Sequence, residues 1–238
     1  PGTVRGVFCF IEERSSNSMS VNFHAFQNIG VLFAECEALY EQWTQEFTGF
    51  EPERISRILK LKYDEEYLYI TYFDVLYRLE IKEGKLSKQD KDGQWQDNLY
   101  FNEAMVIYHL LKYTVDNPGN AGIWVPNAVL DKRVTRNRNL PDPLLTPFAR
   151  KWSGNCAGLK QACINAGGKE FDKGDVAFPF AAFPFMEVQI IFWDADEDFP
   201  AQVQALFDKK VTDYVHFETT GCVIADLFKK INLIAQEN

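Results

Sequence analysis

Several acidic side chains stand close together near the carboxyl terminus, in the run Asp194-Ala195-Asp196-Glu197-Asp198. The run directly follows an apolar stretch that has the pattern of a strand. Carboxylate oxygens that converge at the end of a strand are the ligands that hard divalent cations prefer. Asp194, Asp196 and Glu197 are therefore candidate metal ligands, and a divalent metal is the cofactor that this acidic loop would hold.

The acidic run also has other interpretations. An EF-hand count that starts at Asp194 places Phe199 at the turn position and Ala205 at the last ligand position, which excludes that motif. Carboxylates are common at the start of a helix, where they accept from free N–H groups and complement the helix dipole. The sequence leaves three interpretations open: a helix start, a loop that binds a metal or polar ligand, and a catalytic site.

Other candidate ligand-binding residues lie elsewhere in the chain. Asp175 lies in a loop ahead of a Phe-Pro segment, and His216 lies in residues 214–217, which predict a short strand. From chain order we expect both side chains to approach the acidic loop. Arg133, Arg136 and Arg138 form a locally basic stretch that suits an anionic ligand, an acidic partner or internal pairing with the acidic loop. The candidate ligand-binding set is Asp175, Asp194, Asp196, Glu197, Asp198, His216, Arg133, Arg136 and Arg138.

Composition excludes several classes of protein. The chain has 238 residues, of which 46% are hydrophobic and 15% aromatic, and this predicts one sizeable folded core. A net charge of −9 argues against nucleic acid as a partner, because phosphate-backbone binders need a dominant basic surface. No apolar run approaches the roughly 20 residues that span a bilayer, so no membrane association is expected. Five scattered cysteines favour a reducing cytoplasm.

The first half of the chain alternates helical and strand patterns. Apolar residues from 30 to 47 recur at helical spacing and stop at Gly49. Residues 58–63, 67–73 and 75–81 predict an antiparallel meander, and a polar turn spans residues 88–97. Residues 99–115 are apolar almost all round, which is typical of a central helix.

The patterns in the second half of the sequence predict one helix from residue 142 or 146 through 164, a loop over residues 169–184 and a strand over residues 186–193. Val203, Leu206 and Phe207 then suggest a helix after Pro200, and residues 224–234 a final helix. These elements indicate an α+β fold in which helices pack on a mainly antiparallel sheet. We expect a single domain over residues 19–238, with residues 1–18 as an N-terminal extension.

The run from Phe192 to Ala201, with Ala205-Leu206-Phe207-Asp208 after it, resembles the C-terminal signature of a bacterial and archaeal family known only as a domain of unknown function. The resemblance covers roughly residues 30–235 and implies one soluble domain without an established activity. The resemblance also implies that some members of the family are joined to an iron–sulfur-cluster segment, and hence an accessory role near redox or cofactor chemistry. The cysteines here lack the close spacing that such a cluster needs, so no iron–sulfur cluster is expected.

These observations favour a non-catalytic cytoplasmic accessory domain that binds a small ligand, a cofactor or a protein partner. The alternative is a divalent-metal-dependent enzyme that uses the acidic loop at residues 194–198. The sequence specifies neither the ligand nor an oligomeric state.

Overall fold

The computed structural model describes residues 29–130 and 141–237. In these residues, six helices pack on two antiparallel sheets, which confirms the predicted α+β fold. The helices are α1 Ile29–Glu46, α2 Glu53–Leu59, α3 Phe101–Tyr113, α4 Leu145–Trp152, α5 Cys156–Asn165 and α6 Thr219–Ile234. The strands are β1 Lys62–Tyr63, β2 Tyr67–Tyr72, β3 Val75–Glu80, β4 Leu86–Gln89, β5 Trp95–Gln96, β6 Trp124–Pro126, β7 Val176–Phe183, β8 Met186–Trp193 and β9 Gln202–Asp208.

The first sheet is a meander in which β1 to β5 lie side by side in chain order, as the sequence predicts. The second sheet has the order β6-β9-β8-β7. The two sheets meet at the β2–β3 turn, whose residues Phe73 and Asp74 both have positive φ. A two-residue turn of this kind matches the twist of a hairpin. Phe73 N–H donates to the carbonyl oxygen of Ala182 in β7 at 2.9 Å, which joins the turn to the second sheet.

Helices α3 and α6 form the centre of the core. The buried residues of α3 cover more than half of the helix circumference, which fits the central position predicted for this helix. They pack beside buried α6 residues such as Val223, Leu227 and Ile231. Buried side chains of both sheets belong to the same hydrophobic cluster, so the two sheets share one core.

The predicted helix after Pro200 is wrong, because residues 202–208 form β9. Val203, Ala205 and Phe207 are buried on one face of this strand, as the period of two requires. Leu206 points to the other face and packs in a second, smaller cluster with Ala177. Because Leu206 adds a buried apolar residue on the second face, Val203, Leu206 and Phe207 also satisfy helical spacing.

Five other predicted elements differ from the structure. The expected loop over residues 169–184 contains β7, an edge strand that tolerates Pro179 because a proline there withholds no ladder hydrogen bond. The predicted strand at residues 58–63 spans the end of α2, a turn and β1, and the polar turn at 88–97 contains the end of β4 and all of β5. The long helix divides into α4 and α5 at Gly154, which has a φ of 77°. Residues 214–217 follow a 3-10 turn and form no strand.

The described helices include none that is long and apolar enough to cross a membrane. Cys36 is disulfide-bonded, which the sequence analysis does not predict, whereas Cys156, Cys163 and Cys222 are free thiols. The cytoplasmic location stays a prediction, and the N-terminal extension at residues 1–18 lies outside the described residues.

Candidate functional site

Asp194 fastens the end of β8 to the turn between α4 and α5. Its Oδ1 accepts from the backbone N–H of Gly154 and of Ala195, both at 2.8 Å. Its Oδ2 lies 3.4 Å from the Sγ of Cys156. Hydrogen bonds from Gly154 and Ala195 lower the pKa of Asp194, because they favour the ionised carboxylate. The carboxylate oxygens of Asp194 that a metal would need are therefore already used in hydrogen bonds that hold the local structure.

Asp175 is the one other member of the candidate set that the structure brings directly to Asp194. Asp175 Oδ2 accepts from the backbone N–H of Asp194 at 2.7 Å, and its own N–H donates to Phe192. Gly174 makes this approach possible: it has a φ of 58°, and a Cβ there would lie 2.7 Å from the carbonyl oxygen of Phe192. The predicted proximity of Asp175 and Asp194 is therefore present, but as a backbone clasp.

Asp196, Glu197 and Asp198 are exposed in the loop between β8 and β9. Asp196 Oδ1 accepts from the N–H groups of Asp198 at 2.9 Å and Phe199 at 2.7 Å, so it closes the loop on itself. The helix-start interpretation is wrong, because a strand follows the loop.

Nowhere in residues 29–130 and 141–237 do three or more His, Cys, Asp or Glu side chains form a group that could hold a metal ion. The metal-site interpretation of Asp194, Asp196 and Glu197 thus stays a prediction without geometric support. The neighbouring thiol is also a poor nucleophile, since burial and the Asp194 carboxylate raise the pKa of Cys156 to about 11.

We expect Asp194→Ala to lower the free energy of unfolding by about 1–2 kcal/mol, because two backbone N–H groups lose their acceptor. Urea unfolding would measure this loss. Asp198→Ala is the matched control, since that exposed side chain makes no hydrogen bond to a described residue, and it should change stability by less than about 0.5 kcal/mol. Equal effects of the two variants would contradict a stabilising role of the hydrogen bonds that Asp194 Oδ1 accepts.

His216, the remaining described member of the candidate set that lies outside the acidic loop and its Asp175 contact, packs elsewhere. His216 Nδ1 lies 3.5 Å from Glu218, and its ring lies against His109, Tyr113 and Phe217. The predicted approach of His216 to the acidic loop is absent from these contacts. Arg133, Arg136 and Arg138 lie outside the described residues.

His109 is a half-buried neighbour of His216 and has a structural role. Its Nδ1 is hydrogen-bonded to Thr219 Oγ1, and its ring packs edge-on against Trp43. Burial, followed by the charges of His216 and Lys112, lowers the pKa of His109 to about 3. An imidazole with so low a pKa binds a proton too weakly to be an effective general base near neutral pH.

A groove of about 600 Å³ lies between the C-terminal half of α1 and the meander sheet. We call it the α1 groove. Its volume falls within the range typical of small-molecule sites. The α1 side comprises Tyr40, Glu41, Thr44 and Gln45, and the sheet side comprises Tyr67, Arg78, Glu80, Glu83, Lys85, Leu86, Ser87 and Asp97.

The two walls of the α1 groove are joined at Gly84, in the turn between β3 and β4. Gly84 has a φ of 70° and packs directly against the last turn of α1, where Thr44 and Phe47 lie. Its carbonyl oxygen accepts from the hydroxyl of Tyr108 at 2.9 Å. Gly49 N–H donates to the carbonyl oxygen of Ile81 at 2.9 Å, which ties the chain after α1 to the same turn.

Arg78 is held in place on the sheet side of the groove. Its guanidinium carbon lies 4.1 Å from the ring centroids of both Tyr67 and Trp95. Its Nε donates to Ser87 Oγ at 2.9 Å, and Ser87 is 7% exposed. These contacts restrain a side chain that is otherwise long and flexible. Arg78 forms no ion pair with any described residue, so its terminal nitrogens remain for a ligand.

Sequence reasoning missed the α1 groove, because its residues come from separate strands. Strand alternation places Arg78 on the opposite face from buried Tyr77 and Leu79, and this much is readable from the sequence. The pairing of Arg78 with Tyr69 on one side and Ser87 on the other depends on strand register. A charged residue inside an aromatic-rich meander was the available signal.

A second polar region lies inside the core, between the meander sheet, α3 and α6. Tyr72 donates to Asp226 Oδ2 at 2.8 Å, and the Lys88 Nζ lies 3.0 Å from Glu103 Oε2. Burial is the largest effect on the pKa of Asp226 and raises it, the Tyr72 hydrogen bond lowers it and the nearby Glu103 charge raises it, with a net pKa of about 7. The Oδ1 of Asn102 is buried without a hydrogen-bond partner.

The described residues thus form an α+β protein with two antiparallel sheets and an open polar groove. A family model for DUF3786, a domain of unknown function, matches residues 51–229, and the chain belongs to this family. The expected membership in an uncharacterised domain family is therefore confirmed. Neither a curated protein nor a solved structure matches the chain. The match begins after α1, so the family region supplies the sheet side of the groove and the preceding helix supplies the other side.

Proposed function

We propose that this domain is a non-catalytic binding module whose ligand is a small polar molecule held in the α1 groove. The observation that carries the proposal is Arg78, which Tyr67, Trp95 and Ser87 hold at the groove wall without an acidic partner among the described residues. An arginine held in this way loses little conformational freedom when it binds a planar anionic group on a ligand.

The character of the groove supports binding more than catalysis. Its lining, all within the described residues, includes neither histidine nor cysteine, the side chains that most often serve as bases and nucleophiles. Tyr40, Tyr67, Thr44 and Gln45 offer hydroxyl and amide groups, which select and orient a ligand. An accessory role in which the domain presents or senses such a ligand follows from this chemistry.

The test is a melting-temperature screen of the purified protein against amino acids, dipeptides, nucleotides and sugar phosphates, each at 1 mM as about the upper end of ordinary affinities. We expect at least one class to raise the melting temperature of the wild-type chain, because a ligand that binds only the folded state stabilises it. Arg78→Gln should remove the shift. Trp95 fluorescence gives a second readout, since its ring lies beside Arg78.

Arg57→Gln is the matched control, because Arg57 is exposed on α2 and outside the groove. This variant should respond to ligands as the wild-type chain does. A shift that survives Arg78→Gln unchanged would contradict binding at Arg78, and the absence of any shift across all four ligand classes would overturn the proposal.

A further inference from the structure

The α1 groove has an uneven charge balance. Its lining includes the acids Glu41, Glu80, Glu83 and Asp97 and the bases Arg78 and Lys85. Lys85 forms an ion pair with Glu83, which leaves the other three carboxylates and Arg78 without an ion pair inside the described part of the chain. A ligand that complements this groove must carry more positive than negative charge.

The single free guanidinium sets a second requirement. The Nε of Arg78 donates to Ser87, and the guanidinium group lies near the rings of Tyr67 and Trp95. The terminal nitrogens of Arg78 are therefore the groups left to bind a ligand. Paired N–H donors in one plane match a carboxylate. A phosphate would also fit Arg78, but its larger negative charge would be repelled by Glu80 and the other free carboxylates of the groove.

The positions of the free acids define where positive groups would bind. Glu80 lies two residues after Arg78 on β3 and on the same face, so the two backbone positions are about 7 Å apart. Glu41 lies on the opposite side of the groove, on α1. A molecule with its carboxylate at Arg78 therefore meets one acid along the strand and another across the groove.

We propose that the ligand of the α1 groove is a small, cation-rich zwitterion, with one free carboxylate bound by Arg78 and ammonium groups bound by Glu80 and Glu41. This inference rests on the proposed binding function and specifies the chemistry of its ligand. Basic amino acids and short basic peptides with a free carboxyl terminus belong to this class. The groove volume of about 600 Å³ has room for a dipeptide.

The test is isothermal titration calorimetry with lysyl-lysine as the probe, compared with lysyl-lysine amide and glutamyl-glutamate. The amide lacks the carboxylate and keeps every ammonium group, so we expect it to bind the wild-type chain at least about tenfold more weakly. Glutamyl-glutamate should not bind measurably. Arg78→Gln should weaken lysyl-lysine by a similar factor and leave the amide within about twofold, since the amide does not need Arg78.

Glu80→Gln serves as the second variant, and it should weaken both lysyl-lysine and its amide. Melting curves would confirm that each variant is folded. Equal affinity for lysyl-lysine and the amide, or tighter binding of glutamyl-glutamate, would overturn the zwitterion inference. If lysyl-lysine fails while another compound of the melting screen binds in a manner that requires Arg78, this inference is wrong and the proposed binding function stands; if nothing binds, both are wrong.

Discussion

Replacing Gly84 by alanine is expected to lower the free energy of unfolding by about 3 kcal/mol, the largest loss that we predict for one added methyl group. A Cβ at this position would lie 2.7 Å from the carbonyl carbon of Phe47 and 2.8 Å from the backbone nitrogen of Thr48. Because both atoms belong to the backbone, no side-chain rotation can relieve the contact. The φ of 70° adds strain for any residue with a Cβ.

Gly49→Ala separates the two causes of this loss. Gly49 has nearly the same φ, 69°, but a Cβ there would meet nothing within 4 Å. We therefore expect about 1 kcal/mol for Gly49→Ala, which measures the backbone strain alone. Urea unfolding of both variants gives the comparison. If the two losses were equal, the close packing of α1 on the β3–β4 turn would not contribute to stability.

The same substitution has a consequence for binding. The Gly84 contact sets the distance between α1 and the sheet, and these are the two sides of the α1 groove. A variant that moves α1 away should weaken ligand binding even though Gly84 itself does not line the groove. Gly49→Ala should leave binding unchanged. The ligand affinity of the folded variants thus reports on the groove separately from their stability.

The sequence predicts best those elements whose apolar residues follow one period. Helices α3 and α6 and the β2–β3 hairpin have such patterns, and each is present close to its predicted bounds. Strand β9 is different, because Leu206 is buried on one face and Phe207 on the other. Burial on both faces removes the alternation that identifies a strand. The helix-start interpretation of the acidic run depends on this missing alternation.

The candidate site was harder to predict for a related reason. Asp175 and Asp194 could be brought together from chain order, since they flank the paired strands β7 and β8. Their carboxylates already accept hydrogen bonds from backbone N–H groups. The residue type alone does not reveal whether a carboxylate makes such a bond. The environment of Arg78 depends on the register of β2, β3 and β4 and on the docking of α1, and neither is encoded in a local pattern.

Asp226 makes the stability of the domain depend on pH in the direction opposite to that of most carboxylates. It lies on α6 and receives a hydrogen bond from Tyr72 on β2. The groups that act on its pKa from the packed elements are Tyr72, Asn102, Glu103 and Lys229, and Asp226 in turn raises the pKa of Cys222 and of Tyr77. Burial is the largest effect and raises the pKa of Asp226 to about 7. In the unfolded chain the carboxyl returns to a pKa of about 3.9.

Between these two pKa values the folded chain holds a proton at Asp226 that the unfolded chain has lost. The free energy of unfolding must therefore decrease as the pH rises from about 4 to about 7, and this contribution becomes constant above pH 7. Asp226→Asn replaces the carboxyl by a neutral group of the same shape. We expect the variant to exceed the wild-type chain in stability by about 2–3 kcal/mol at pH 8, and by much less at pH 4.5.

Urea unfolding at five pH values from 4.5 to 8.5 would measure the difference between Asp226→Asn and the wild-type chain. The amide also changes the hydrogen bonding to Tyr72 by an amount that does not depend on pH, so the test is the slope of the difference and not its absolute value. Asp198→Asn is the control, since that carboxylate is exposed, and its curve should run parallel to the wild-type curve. A difference between Asp226→Asn and the wild-type chain that stays constant from pH 4.5 to 8.5 would show that Asp226 is ionised in the folded chain throughout this range, and that its burial does not hold a proton.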